Sequence, residues 1–300
     1  MASSLKNVAI VGASGSIGSI ILNSLIASSK FTITVVTRKE SEAVFPSNVT
    51  VVKSDYSEAD LETAFKGKDA VISAVGALGF GEQKKFVDAA IRAGVKRFIP
   101  SEFSSSWEDE AVLQLLPLFG VKKELVGYLK SKESEGLTWT GIATSGLFDW
   151  GLGNGFLEFN IADRTATIWD GGRKSFTLTN EETLGQSVIS VLEHPQETSN
   201  RYLYVASVET TQQDILVALE NATGAKWTVN ETTTDSQVEE GQKKLQAGDF
   251  GGALILVRAT VFSNTPGLRA NYIKEEQFAN SLLGLKIESI EDTVKRVVGK

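Results

Sequence analysis

The stretch Gly12-Ala13-Ser14-Gly15-Ser16-Ile17-Gly18 follows the apolar run Val8-Ala9-Ile10-Val11 and leads into apolar residues at Ile17, Ile20, Ile21 and Leu25. An apolar run, a glycine turn and a 3.6-residue period read as strand, turn and helix. The glycine spacing is G-x-x-G-x-x-G. In a dinucleotide-binding turn the first glycine permits the tight bend, the second lets backbone approach a pyrophosphate, and the third lets helix and strand pack closely. The helix N-terminus adds free N–H groups and the positive end of its dipole. Gly12, Ser14, Gly15, Ser16, Ile17 and Gly18 are therefore the expected cofactor-binding residues of this turn.

Outward from this turn, short β-rich runs alternate with helical patterns. Strands are expected over residues 31–36, 49–53, 70–74, 97–99 and 138–143, and helices over 17–27, 59–65, 83–93 and 122–132. Continuous apolar strands separated by helices mark a parallel sheet covered on both faces. With right-handed crossovers the fold class is α/β, a Rossmann-type doubly wound parallel sheet. After about Gly146 the pattern changes. Shorter strands are expected over 165–169, 173–176, 202–206 and 227–229, and helices over 184–192, 212–221, 235–246, 276–283 and 290–298. The expected organisation is a dinucleotide-binding Rossmann domain over residues 1–150 and a smaller α+β substrate-binding region over 151–300. The latter is expected on the sheet's carboxyl edge, partly interleaved with it through the strand near 202–206.

The end of the second strand selects the cofactor. An acid there would bond a ribose 2′-hydroxyl, whereas this chain has Thr37-Arg38-Lys39. Two cations suit a 2′-phosphate, which favours NADP(H) over NAD. Glu40 is placed to neutralise one of them. Asp55, after the third strand, is a candidate partner for the adenine amine. Ala74, Val75 and Gly76, after the fourth, are small enough for backbone to pass the cofactor.

Composition narrows the chemistry. The chain has 300 residues, no cysteine, a single histidine (His194) and a net charge of −7. Disulfides, zinc clusters and a cysteine nucleophile are excluded. His194, in Glu193-His194-Pro195, reads as a helix-end residue outside the mechanism. The acidic balance argues against nucleic acid or an anionic membrane as partner. No apolar run reaches about 18 residues, and residues 1–6 lack the ordered features of a signal peptide. Three N-x-[ST] matches begin at Asn48, Asn221 and Asn230 and carry little weight without such a signal. The expectation is a soluble cytoplasmic protein, a monomer or homodimer with a small-molecule substrate.

Val95-Lys96-Arg97-Phe98-Ile99-Pro100-Ser101-Glu102-Phe103, Phe119-Gly120-Val121-Lys122 and Gly136-Leu137-Thr138-Trp139-Thr140 resemble the NmrA-like and isoflavone-reductase-like atypical short-chain dehydrogenases. Asn200-Arg201-Tyr202 and Asn280-Ser281-Leu282-Leu283-Gly284-Leu285 look like the fungal branch, whose members often serve secondary metabolism. The resemblance covers nearly the whole chain. It departs at Ser104, where the family usually has glycine. It implies NADPH-dependent reduction of an aromatic or alkaloid-like metabolite. The lysine of its F-x-x-K pattern maps to Lys122 and is implied to lie near the nicotinamide as the catalytic residue. Pro100, Ser101 and Phe103 are implied beside the nicotinamide ribose, and Gln83 near the substrate entrance.

Hydride transfer leaves negative charge on the far end of the acceptor, where a cation or proton donor stabilises the transition state. A lysine whose pKa is lowered by burial can serve. Lys123 contributes little field, because neighbours on a helix point in different directions. Tyr128 and Lys132 match the Y-x-x-x-K pair of ordinary short-chain dehydrogenases, but Tyr128 lies roughly 120° round the helix from Lys122. Tyr128 is therefore read as a packing residue. At the end of the sixth strand, Leu147, Phe148, Asp149 and Trp150 are the expected substrate contacts, with Phe148 and Trp150 stacking on an aromatic ligand and Asp149 binding a cationic amine. Phe176, Phe262 and Tyr272 are further pocket candidates. Two alternatives stay open: an imine reductase or redox-neutral cyclase that uses bound NADP(H), and a non-catalytic NADP-sensing regulator.

Overall fold

The computed structural model describes residues 5–299; of the polar lead read over residues 1–6, the first four lie outside that range. In chain order the elements begin with β1 (Asn7–Val11), α1 (Ser16–Ser28), β2 (Thr32–Arg38), β3 (Thr50–Ser54), α2 (Glu58–Phe65), β4 (Ala70–Ser73), α3 (Gln83–Arg92), β5 (Arg97–Ile99), α4 (Glu110–Leu115), α5 (Gly120–Ser131) and β6 (Thr138–Ala143). There follow β7 (Gly146–Leu147), α6 (Phe148–Gly153), β8 (Phe159–Asn160), β9 (Thr165–Trp169), β10 (Phe176–Thr179), α7 (Glu181–Glu193), β11 (Arg201–Tyr204), β12 (Val208–Thr210) and α8 (Gln212–Thr223). The chain ends with β13 (Thr228–Thr232), α9 (Thr234–Gln246), α10 (Gly251–Phe262), α11 (Asn280–Leu283) and α12 (Ile290–Val298).

The contacts divide the chain into two compact units. The first comprises residues 1–103, 120–142 and 184–203, and the second residues 104–119, 143–183 and 204–300. This differs from a single boundary at residue 150. Residues 184–203 return to the first unit because Tyr202 and Leu203 are buried on β11, an edge strand of its sheet.

The first unit is built on a seven-stranded sheet of order β11-β6-β5-β4-β1-β2-β3. β1 pairs in parallel with β2 on one side and β4 on the other. Parallel pairing continues from β2 to β3, from β4 to β5 and from β5 to β6. Val8, Ala9, Ile10 and Val11 are fully buried, as a central parallel strand requires. On α3, Phe86, Val87, Ala89 and Ala90 are buried while Lys84 and Lys85 face outward, the signature of a helix lying on a sheet. Chain direction along the sheet reverses between β1 and β4. Such a reversal opens a crevice at the strands' carboxyl ends.

The second unit holds two three-stranded sheets, β12-β10-β7 and β13-β9-β8. Its apolar core includes Phe148, Phe159, Trp169, Phe176, Ile215 and Phe262. Three expectations are corrected here. The strand expected over 173–176 is β10, which begins at Phe176, because Gly171 and Gly172 both take positive φ and turn the chain just before it. The helix expected over 276–283 shrinks to α11. Residues before it run alongside Tyr204, whose N–H donates to the Gln277 carbonyl at 2.9 Å and whose carbonyl accepts from Ala279 N–H at 2.8 Å. α10 is absent from the sequence expectation because its apolar residues form a near-continuous run without a helical period.

Candidate active site

The glycine turn bends at Gly12, whose φ is +85°. A Cβ there would lie 2.6 Å from the Ala74 carbonyl oxygen, and one on Gly18 would lie 2.1 Å from that of Gly12. Both glycines are thus fixed by packing between β1, β4 and α1. Gly15 differs. Its φ and ψ, −77° and 169°, suit any residue, and a Cβ would meet nothing closer than the Gly12 oxygen at 3.5 Å. Nothing inside the fold demands glycine there. Gly15 caps α1 without any side-chain hydrogen bond, and the first turn of α1 carries no acid. Ser14 and Ser16 are exposed beside it.

This turn forms one wall of a cleft of about 500 Å³. Arg38, Tyr56 and the Ala74–Gly76 backbone supply other walls. Arg38, at the end of β2, makes no ion pair with an acid among the described residues. Lys39 is engaged: its ammonium lies 2.9 Å from Asp55 and 3.3 Å from Asp60. Those contacts raise the Lys39 pKa and hold the Asp55 carboxyl well below the usual carboxylate range. The expectation that Glu40 would neutralise a cation is corrected to Asp55 and Asp60. Asp55 also accepts from Ser57 N–H at 2.8 Å, so it is committed to its own turn and to Lys39. Tyr56, unnoticed in the sequence, sits at φ +61° and packs edge-on against Phe86 at 5.4 Å.

Residues Ala77–Glu82 form a single 3-10 segment, and Ala77, Leu78, Gly79 and Glu82 border the same cleft. Beneath it the loop after β5 is fastened by side chains. Gln83 is fully buried, and its Oε1 accepts from Ser101 N–H at 2.9 Å. Gln83 therefore braces this loop, which corrects its expected place at a substrate entrance. Ser101 Oγ donates to the Val75 carbonyl at 2.7 Å. Pro100, Ser101 and Phe103 are all buried.

Lys122, on α5, is 3% exposed and its ammonium donates to the Glu102 carbonyl oxygen at 3.0 Å. The same nitrogen lies 4.9 Å from the centre of the Phe80 ring. Burial draws the Lys122 pKa down to about 8, against an opposing pull from the Glu102 charge. Tyr128 points elsewhere: its hydroxyl donates to Asp88 on α3, and Lys84 and Lys132 lie over its ring. His194 follows the end of α7 and bonds the Ser190 carbonyl at 2.9 Å. Glu102 and Tyr202 were absent from the sequence-based candidates. Both lie inside quoted stretches.

Leu147, Phe148, Asp149 and Trp150 belong to the second unit. Phe148 is fully buried in its core, which corrects its expected role as a stacking wall. Asp149 Oδ1 accepts from Trp150 N–H and Glu181 N–H, each at 2.9 Å, so that oxygen serves the backbone rather than an amine. Trp150 packs on Phe156 with ring centres 5.6 Å apart, and Leu147 is 7% exposed. Phe176 and Phe262 pack together in the core, and Tyr272 is buried with its hydroxyl accepting from Ser106 N–H at 2.8 Å. Phe176 and Phe262 are thus core residues.

A strand order running outward from β1 in both directions, with a glycine turn at its carboxyl end, defines a Rossmann-type α/β protein. The chain belongs to the NmrA-like family, whose model matches residues 4–243. It is 35% identical over 294 residues to "Oxidoreductase aprR" of Aspergillus flavus, covering 97% of this chain and 98% of that one. It is 28% identical over 217 residues to "Phenylcoumaran benzylic ether reductase Betv6" of Betula pendula, covering 67% and 68% of the two chains. Among solved structures it shares its fold with the NADPH complex of Vitis vinifera leucoanthocyanidin reductase, with a TM-score of 0.80 at 16% identity, covering 98% and 100%. The NADP+ and pinoresinol complex of AtPrR2 gives 0.77 at 20% identity, covering 99% and 100%. No helix among the described residues is long and apolar enough to cross a membrane.

Proposed function

We propose that this chain is an NADPH-dependent reductase that delivers hydride to a small aromatic or heterocyclic secondary metabolite. The reading draws on the named relatives, which include oxidoreductases and a benzylic ether reductase. Bound NADPH supplies the hydride. The site's residues fit that group: the open space over Gly15 and the uncapped N-terminus of α1 suit a pyrophosphate, and Arg38 suits a 2′-phosphate. Ala74, Val75 and Gly76 would flank the dinucleotide, and Pro100, Ser101 and Phe103 would stiffen the floor beside it.

One observation carries the catalytic part. The ammonium of Lys122 is buried against the segment that borders the glycine cleft, with its pKa drawn near neutrality. A lysine so placed holds its proton at Nζ loosely enough to give it to an oxygen or nitrogen that gains charge as hydride arrives. Burial also excludes water, which strengthens the field of the cation. The test is NADPH oxidation with a panel of enones, imines and benzylic ethers. Turnover with one class, lost in Lys122→Met but with NADPH binding retained, is the expected result. NADPH binding without turnover of any substrate would overturn the reading in favour of a cofactor-sensing regulator.

A further inference from the structure

The carbonyl that receives Lys122 belongs to a residue whose own side chain is also buried and bonded. Glu102 is fully buried, and its Oε2 accepts from the Tyr202 hydroxyl at 2.7 Å. Tyr202 stands on β11, and β6 lies between that strand and β5. The ring spans the gap because the intervening residue is Gly141. A Cβ there would lie 2.6 Å from the Tyr202 ring and 3.5 Å from the Glu102 Cγ. Glu102 thus touches both sides of the site: its carboxylate is held from the sheet edge, and its carbonyl holds the lysine.

We propose that Glu102, clamped by Tyr202 across Gly141, is a positioning residue that fixes the location of the Lys122 ammonium and keeps it protonated. A buried carboxylate is costly unless it is bonded and faces opposite charge, and here the buried Lys122 ammonium feels the Glu102 charge. The elements that pack most closely on α5 are α3, the Ala77–Glu82 segment and the 3-10 turn Glu133–Glu135. Their charged groups Glu82, Lys84, Lys85, Asp88, Arg92, Glu133 and Glu135 each bond another partner. Glu102 therefore sets the local field at Lys122. Charge sets the lysine's protonation, and the hydroxyl clamp sets its place.

The inference rests on the proposed role of Lys122, and its test separates the two. In protein labelled with ¹³C-lysine, the Lys122 ε-carbon resonance, assigned by its loss in Lys122→Met, is titrated in wild type, Glu102→Gln and Tyr202→Phe. Glu102→Gln should move the Lys122 midpoint down by about one pH unit and shift the alkaline limb of the kcat profile with it. Tyr202→Phe, which removes one oxygen and preserves packing, should lower kcat about tenfold with the KM for NADPH unchanged. An unmoved Lys122 midpoint in folded Glu102→Gln, or wild-type kcat in Tyr202→Phe, overturns the clamp. If Lys122→Met keeps its turnover, the acid role fails, while the titration still decides whether Glu102 governs the lysine.

Discussion

The ammonium of Lys122 lies 4.9 Å from the centre of the Phe80 ring, and Phe80 sits within the same short helical segment whose neighbours border the glycine cleft. The cation is therefore held by an aromatic face and a carbonyl in a site shielded from solvent. Charging it costs free energy. Its folded-state pKa, about 8, lies below the ordinary 10.5. A depressed lysine pKa means the unfolded chain binds more protons between those values, so stability should rise with pH across that window and carry the full penalty below it. Relative to Lys122→Met, wild type should gain up to about 3 kcal/mol between pH 8 and 10.5. Urea unfolding of both proteins across that range checks the sign; a wild-type stability that falls or stays flat relative to Lys122→Met as pH rises would sink the burial argument.

Two glycines three residues apart should respond oppositely. Gly18→Ala places a methyl against the Gly12 carbonyl, where the nearest approach would be 2.1 Å. That contact is between backbone segments that cannot yield, so a loss of about 3 kcal/mol or more is expected. Gly15→Ala meets no such obstacle and should leave stability within about 0.5 kcal/mol. It should nevertheless weaken NADPH binding by about tenfold, because the methyl occupies the space reserved for the ligand. Thermal melts with and without NADPH distinguish the pair.

Arg38 and Lys39 are adjacent cations with different commitments. Arg38→Ala should raise the KM for NADPH by about tenfold to a hundredfold and leave that for NADH nearly unchanged. Lys39→Ala should do far less, since its ammonium is shared between Asp55 and Asp60. Releasing it with Asp55→Asn and Asp60→Asn together should tighten NADPH binding, most at low ionic strength. Equal effects of Arg38→Ala and Lys39→Ala on the NADPH-to-NADH ratio would contradict this assignment.

Phe148 tests the correction in the second unit. As a core residue with no exposed surface, its replacement by alanine should cost about 3–5 kcal/mol. Substrate KM, measured well below the melting temperature, should change little. A stable Phe148→Ala protein with a selectively raised KM would restore the ring as a substrate contact.

The sheet was readable because its strands announce themselves. Val8–Val11 is apolar on both sides, and the glycine turn after it leaves few alternatives. Lys122 was readable only through the F-x-x-K resemblance, because a lysine on a helix with several others looks solvated until its burial is known. The Glu102–Tyr202 bond joins residues 100 positions apart, and no local pattern carries such a pairing. Phe148 misled for a related reason: an aromatic after a strand end looks the same whether it lines a pocket or fills a core.

The return of residues 184–203 to the first unit governs the order in which the molecule can be completed. On the ribosome, β6 emerges long before β11, the edge strand that will pair with it. Until about two thirds of the chain has been synthesised, the sheet must wait with β6 as a bare hydrogen-bonding edge, a template for unwanted strand addition. A fragment cut at residue 150 would keep that edge permanently and would also lose Tyr202. This late segment is thus the closing piece of the first unit's sheet, the strand that covers the β6 edge.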